Sequence, residues 1–98
     1  MPNNIGHILG KIAEILRRHP RVYRGILFGS RALGTARPGS DIDIAVEGNL
    51  SYDDILTLYR LYDNLYLPYR VDFVSYESIE NQALKDHIDR VGRVIVER

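Results

Sequence analysis

The sequence predicts a small α/β (or α+β) domain, in which a mixed β-sheet carries helices packed on one side. Apolar residues recur at helical spacing in several segments, short runs of β-branched and aromatic residues lie between them, and glycine or proline separates most of these segments. The chain has 98 residues, and this length fits one domain. We therefore expect residues 1–98 to form a single unit.

The first element is predicted to be a helix that ends before Pro20. Its apolar face consists of residues at helical spacing, namely Ile5, Ile8, Leu9, Ile12, Ile15 and Leu16. Asn3 or Asn4 is expected to cap its start. The run Val22–Phe28 is rich in β-branched and aromatic residues and is therefore predicted to be a strand.

A glycine-rich connection follows this strand. Residues 29–40 contain three glycines and one proline, which predicts a loop, with one short helical turn after Ser30. Residues 41–47 then alternate acidic and aliphatic side chains. This alternation predicts a strand with one polar and one apolar face.

The second half of the chain is predicted to contain two helices and two strands. Ser51 is expected to cap the first of these helices, with Asp54 as a weak capping-box acid. Its apolar face is formed by Ile55, Leu58, Tyr59, Tyr62, Leu65 and Tyr66. Gly92 is expected to end the second helix in the left-handed conformation. The remaining predicted elements are a strand at 70–75, that second helix at 78–91 and a short strand at 94–96.

The composition argues against several functional classes. Thirteen Lys and Arg residues balance thirteen Asp and Glu residues, so bulk nucleic-acid binding is not expected. The chain has no cysteine, which excludes disulfides and a thiol nucleophile and fits a reducing compartment. The sequence shows neither a signal peptide pattern nor an apolar run long enough to cross a membrane. We therefore expect a cytoplasmic protein.

Three carboxylates follow a common pattern. Asp41 and Asp43 share one face of a strand, with Cα atoms about 6.6 Å apart for a rise of about 3.3 Å per residue. Asp72 stands in the same way between apolar neighbours on a later strand. If the two strands are adjacent, the three side chains meet on one sheet face. Ligands with oxygen alone suit Mg²⁺ or Mn²⁺, and such ions promote phosphoryl-type transfer.

The turn before these acids has the features of a phosphate-binding loop. Gly29 allows close approach of the backbone to a ligand, and Ser30 offers a hydroxyl at the start of a helical turn. Arg31 and Arg37 could add charge-assisted contacts to a triphosphate. No Gly-Lys-Ser/Thr follows, so the loop is not a Walker A motif.

The run of Gly29-Ser30, ten residues and Asp41-Ile42-Asp43 resembles the signature of the DNA polymerase β-like nucleotidyltransferase superfamily. The segment Val71-Asp72-Phe73-Val74 resembles the strand that carries that superfamily's third carboxylate. The short length most resembles the minimal nucleotidyltransferase (MNT) proteins, which are encoded beside HEPN-domain partners as toxin–antitoxin pairs. The resemblance covers nearly the whole chain in element order.

The resemblance implies a polymerase β-like nucleotidyltransferase fold and Mg²⁺-dependent transfer of AMP from ATP to a hydroxyl. Gly29 and Ser30 would hold the triphosphate, and Asp41 and Asp43 would bind both metal ions. Asp72 would bind the catalytic metal and help to activate the acceptor hydroxyl. That acceptor would be a tyrosine of a HEPN-type toxin, which gives this chain the role of antitoxin.

One position departs from the family pattern, and two other functions stay open. The family often has Arg before the glycine that matches Gly34, whereas this chain has Leu33, so Arg31 or Arg37 would have to replace one contact. The chain could instead be a non-catalytic antitoxin that neutralises a HEPN partner by binding. It could also be a nucleotidyltransferase for a small molecule, which would require a partner subunit or a second copy to complete the acceptor pocket.

Two residue types have simpler interpretations. The histidines are not placed at ligand spacing, so we expect all three on the surface, namely His7, His19 and His87. The tyrosines of the predicted second helix are expected to pack in the core, with a partner-binding face as the alternative, namely Tyr59, Tyr62 and Tyr66.

Overall fold

The structure of the protein is a computed structural model that describes residues 5–98. Its helices are α1 (Gly6–Arg18), α2 (Ser30–Leu33), α3 (Tyr52–Asp63) and α4 (Gln82–Val91). Its strands are β1 (Val22–Phe28), β2 (Ile42–Gly48), β3 (Val71–Ser75) and β4 (Arg93–Glu97). The predicted order of elements is confirmed, including the short helical turn at Ser30. The expected cap at Asn3 or Asn4 lies outside the described residues.

The strands form one mixed sheet in the order β3-β2-β1-β4. Strand β1 is antiparallel to both β2 and β4, whereas β2 and β3 are parallel. A parallel pair requires a long crossover, and α3 supplies it. The predicted mixed sheet is confirmed, and β3 forms one of its edges.

Helices cover both faces of the sheet. Helices α1 and α3 pack on one face, where the core includes Ile8, Ile12, Leu16, Ile42, Ile44, Val46 and Leu58. Ile88 of α4 packs on the opposite face, against Ile26, Phe28 and Ala45. The expectation that the helices lie on one side holds for α1 and α3 but is wrong for α4. Consecutive apolar residues in β1 face both sides, so the second face also needs cover.

The start and the end of α4 differ from the prediction. The helix begins at Gln82, because the Asn81 side chain accepts a hydrogen bond from the Leu84 N–H at 3.1 Å. Gly92 has φ −62° and is not left-handed, so that expectation was wrong. A Cβ atom at Gly92 would collide with the Ile88 carbonyl oxygen and with the Ile26 side chain. The glycine therefore allows close packing of the chain against β1.

A polar cluster, in which His19 and Asp54 are buried and Arg21 is exposed, joins the end of α1 to the start of α3. Arg21 donates two side-chain hydrogen bonds to Asp54, at 2.9 and 2.7 Å. The backbone N–H of Arg21 donates to His19 Nδ1, so Nε2 carries the ring proton toward Asp54, 3.2 Å away. Ser51 and Asp54 form the predicted capping box. His19 is only 9% exposed, which contradicts its predicted surface position.

Replacing Asp54 by Asn should lower the melting temperature by about 10 °C at neutral pH. The hydrogen bond from Arg21, and then that from the Ser51 backbone, hold the pKa of Asp54 well below its ordinary value. A lowered folded-state pKa gives a stabilising contribution that is present above the ordinary pKa of about 3.9 and is lost as the pH falls. Thermal denaturation of the wild type and of Asp54→Asn should therefore show a difference in melting temperature that becomes smaller below about pH 4.

The exposed Asp53, in the same first turn of α3, is the matched control for this experiment. Asp53→Asn should change the melting temperature little. An Asp54→Asn variant that melts like Asp53→Asn would contradict the structural role given to the cluster.

Across residues 5–98, the structure shows no helix with the length and apolar character needed to span a membrane.

Candidate active site

Two of the three candidate acids, Asp43 and Asp72, lie side by side at one end of the sheet. In the parallel pairing of β2 with β3, Asp43 lies directly opposite Asp72. On its other side Asp43 pairs with Phe28, the last residue of β1. Asp41 lies one residue before β2 and is exposed. The condition set for a shared acidic face, that the two acidic strands are adjacent, is therefore met for Asp43 and Asp72.

The charge of Asp43 is disfavoured where it stands. Burial raises the pKa of the Asp43 carboxyl, and the nearby charges of Asp72 and Asp41 raise it further, whereas His87 acts in the opposite direction. Like charges this close repel each other in a partly desolvated site. A bound cation would relieve this repulsion, so the electrostatics favour a cation at this place.

Asp43 and Asp72 fit Mg²⁺ as two ligands that would leave its other coordination positions free. In the described part of the chain no three His, Cys, Asp or Glu side chains are close enough to hold one metal ion, so the expected group of three carboxylates is not found. Mg²⁺ is commonly bound by one or two carboxylates, with water and substrate phosphates completing its coordination. The facing carboxylates of Asp43 and Asp72 match that pattern.

Gly29 brings the turn after β1 into contact with these acids. It has φ +74°, which disfavours any residue with a Cβ atom. A Cβ atom at this position would also collide with the Asp43 carboxylate. Helix α2 begins at Ser30 directly afterwards, and the first N–H groups of a helix have no partner within it. The N–H groups of Ala32 and Leu33 already donate to the Gly29 carbonyl oxygen, so the donors left at the start of α2 are the N–H groups of Ser30 and Arg31 and the Ser30 hydroxyl.

The two candidate phosphate-binding arginines lie in different surroundings. Arg31 is buried and donates to the carbonyl oxygen of Ser40 at 2.9 Å, while its guanidinium lies 5.5 Å from the centre of the Tyr69 ring. It thereby connects α2 to the loop that leads into Asp41. Its Nε atom is buried with no hydrogen-bond partner. The side chain of Arg37 is exposed to solvent, at the outer part of the same loop.

His87 belongs to this site although we predicted it on the surface. Its Nε2 atom accepts the N–H of Gly29 at 3.2 Å, and its ring meets Phe28 edge-on. The half-buried His87 therefore accepts a hydrogen bond from a backbone N–H of the turn. Its predicted surface position was wrong. The signal available in the sequence was its position directly before Ile88, the buried residue of α4.

The tyrosines of α3 fall into three situations. Tyr59 packs its ring on Phe73, as expected, but its hydroxyl reaches Asp72 Oδ1 at 3.1 Å. Tyr62 is buried, and its hydroxyl donates to the Tyr69 carbonyl oxygen at 2.7 Å. Tyr66 is 91% exposed with φ +52°, so its predicted core position was wrong. Helix α3 ends at Asp63, and Tyr66 therefore lies beyond the helical face to which we assigned it.

Solved structures similar to this chain include toxin–antitoxin complexes. One, a toxin–antitoxin structure with AMP-PNP, has a chain 30% identical to this one; the match covers 92% of this chain and 73% of that chain with a TM-score of 0.74. Another is a complex of a tri-AMPylated HEPN toxin of Shewanella oneidensis with an MNT antitoxin, at 26% identity, 92% and 70% coverage and a TM-score of 0.67. Both agree with the MNT resemblance inferred from the sequence.

A protein of Sulfolobus solfataricus that is assigned to the nucleotidyltransferases by its description shares the fold. It is 19% identical to this chain, and the match covers 93% of this chain and 78% of that chain with a TM-score of 0.59. A comparison with curated proteins gave no match. The family model described as "Polymerase beta, Nucleotidyltransferase" matches residues 10–98. That match includes the Gly29 turn and all three acids. The chain therefore belongs to the polymerase β nucleotidyltransferase family.

Proposed function

We propose that this chain is a cytoplasmic, Mg²⁺-dependent adenylyltransferase that transfers AMP from ATP to a tyrosine of a HEPN-type toxin, and so acts as its antitoxin. One observation carries the proposal. The Gly29 turn, which has the features of a phosphate-binding loop, packs closely against Asp43, and Asp43 lies opposite Asp72 on the neighbouring strand. Donors for phosphate and ligands for a metal ion are thus next to each other.

The residues would divide the work along the end of the sheet. Ser30 would bind the triphosphate through its backbone N–H and its hydroxyl, and Gly29, whose own N–H donates to His87, would let the phosphates come close to the backbone. Asp41 and Asp43 would hold metal ions, and Asp72 would share one of them. The order of the strands puts the turn on one side of Asp43 and Asp72 on the other. We therefore assign to Asp72 the role of orienting the acceptor hydroxyl, on the side away from the leaving pyrophosphate.

Mg²⁺, when bound, would neutralise phosphate charge and lower the pKa of the attacking hydroxyl. Asp41, Asp43 and Asp72 are the residues that would hold it. The exposed Arg37 is the second candidate for a triphosphate contact, because its side chain is free to turn toward an anion. Arg31 would contribute through the loop that it supports, because its buried side chain already donates to the Ser40 carbonyl oxygen.

The partner assignment rests on the similar structures. The chain matches most of the length of chains from complexes described as MntA–HepT and as an MNT antitoxin with a tri-AMPylated HEPN toxin. A HEPN-type toxin is therefore the acceptor we propose for this protein.

A label-transfer experiment tests the proposal. The purified chain is mixed with Mg²⁺, a lysate of the source organism and ATP labelled at either the α- or the γ-phosphate. Transfer of AMP predicts label on one discrete protein from the α-position only, on a tyrosine identified by mass spectrometry. The Asp41→Ala/Asp43→Ala variant should give no label. γ-Label that appears with the wild-type chain but not with the Asp41→Ala/Asp43→Ala variant would mean phosphate transfer, and no protein labelled by the wild-type chain alone would favour a binding module or a small-molecule acceptor.

Removing the His87 side chain should strengthen nucleotide binding about fivefold. In His87→Ala the Gly29 N–H loses its partner and becomes available to the triphosphate, and one hydrogen bond contributes about 1 kcal/mol. Calorimetric titration with AMP-PNP and Mg²⁺ measures the effect. His7→Ala, an exposed change on α1, is the control. Weaker binding by His87→Ala would show that His87 itself contributes to the nucleotide site.

A further inference from the structure

Tyr59 lies outside the sequence motif and contacts one of its acids. We propose that Tyr59 is a positioning residue, which holds the Asp72 carboxylate in the orientation needed to bind metal and to meet the acceptor hydroxyl. This inference rests on the proposed function, because it assigns Asp72 the role given above. Three features of the structure carry it: the hydrogen bonds of one hydroxyl, the edge position of β3, and a matched tyrosine one turn away.

The hydroxyl of Tyr59 has one proton to donate, and the geometry directs that proton to Asp72. The backbone N–H of Phe73 donates to the Tyr59 oxygen at 2.9 Å. The oxygen therefore acts as an acceptor there and donates elsewhere. Asp72 Oδ1 lies at 3.1 Å, closer than the Phe73 carbonyl oxygen at 3.5 Å. A hydrogen bond to an ionised carboxylate is also stronger than one to a neutral acceptor.

Asp72 needs such a partner because of where it stands. Strand β3 is the edge of the sheet, and Asp72 is exposed on it. A short side chain on an exposed edge can take several rotamers, of which only some point toward Asp43. Tyr59 itself is held firmly, since its ring meets Phe73 edge-on with centres 5.1 Å apart. It fixes the carboxylate from one side and also satisfies a backbone N–H of the edge strand.

Tyr62 provides a matched comparison within the same helix. Its ring meets the same Phe73 edge-on, with centres 6.5 Å apart. Its hydroxyl also makes a hydrogen bond, but the acceptor is the carbonyl oxygen of Tyr69. Tyr59→Phe and Tyr62→Phe thus each remove one hydroxyl beside Phe73. Only the first removes a contact with an acid of the site.

The first measurement is Mn²⁺ binding in the presence of AMP-PNP, monitored by electron paramagnetic resonance. The second is nucleotide transfer to the acceptor protein identified by label transfer. Tyr59→Phe should bind Mn²⁺ about tenfold more weakly than Tyr62→Phe. In the transfer assay, kcat should fall by a similar factor while the KM for ATP changes little. Denaturation midpoints of the two variants establish that both are folded.

A double variant separates positioning from a structural effect. If Tyr59 acts through Asp72, adding Tyr59→Phe to Asp72→Asn should weaken Mn²⁺ binding no further than Asp72→Asn alone. Additive losses would overturn the inference, as would equal Mn²⁺ binding by the two Phe variants, and the proposed function would survive both results. A wild-type protein that binds no Mn²⁺ with AMP-PNP would overturn the proposed function, and the inference with it.

Discussion

Replacing Asp43 by Asn should reduce nucleotide transfer by about 10³-fold or more while the protein remains folded. The amide keeps the size of the side chain but loses the charge that would hold a metal ion. Asp43 is the central acid, because it faces Asp72 on one strand and touches the Gly29 turn on the other side. No neighbouring acid is placed to make both contacts in its stead. Single-turnover transfer of α-labelled AMP measures the loss.

The same substitution should leave the melting temperature unchanged or raise it by a few degrees at neutral pH. Burial, Asp72 and Asp41 raise the pKa of Asp43, so its ionised form is unfavourable in the fold without a cation. For an acid with a raised folded-state pKa, this cost appears as the pH rises through that pKa and vanishes at lower pH. Any advantage of Asp43→Asn should therefore be present near pH 7 and absent in acid.

The exposed Asp53 again provides the control. Asp53→Asn should transfer AMP at the wild-type rate. An Asp43→Asn variant that keeps transfer within about tenfold of wild type would refute the metal-binding role, since loss of a catalytic group costs far more.

Local sequence patterns were sufficient to single out Asp43, Asp72 and Gly29, which the structure brings together. The alternation around Asp43 and around Asp72 shows which side chains share a face, because strands have a period of two. The glycine at position 29 stands where a strand meets a helical turn, and such a junction requires an unusual backbone conformation. Each of these signals lies within a few residues of the position that it concerns.

The contacts of the two misassigned histidines could not be found in this way, because they join distant segments. His87 meets Gly29 across 58 positions of the chain, and His19 meets Asp54 across 35. The periodicity of α4 identifies its apolar face but does not indicate on which side of the sheet that face packs. The surface position predicted for His87 and the single helical layer were wrong for this same reason.

Replacing Gly29 by Ala should abolish transfer and also lower the melting temperature by about 5 °C or more. Two costs combine in this variant. An L-residue at positive φ is strained by roughly 1–2 kcal/mol, and Gly29 has φ +74°. The added methyl group would also collide with the Asp43 carboxylate, so either the turn or the acid must move. Displacement by about 1 Å is enough to cost a large factor in rate.

Gly34 provides a comparison in which a positive φ is not combined with a collision. It has φ +79° and ψ 14°, the left-handed region, whereas Gly29 has ψ −156°, which an L-residue adopts less readily, and a Cβ atom at Gly34 would have open space around it. Gly34→Ala should therefore lose less stability than Gly29→Ala and keep most of its transfer activity. Measuring the melting temperature and α-labelled AMP transfer for both variants isolates the contact with Asp43. If Gly34→Ala lost activity as completely as Gly29→Ala, backbone strain alone would explain both, and the packing of the turn against Asp43 would have no special role in the reaction.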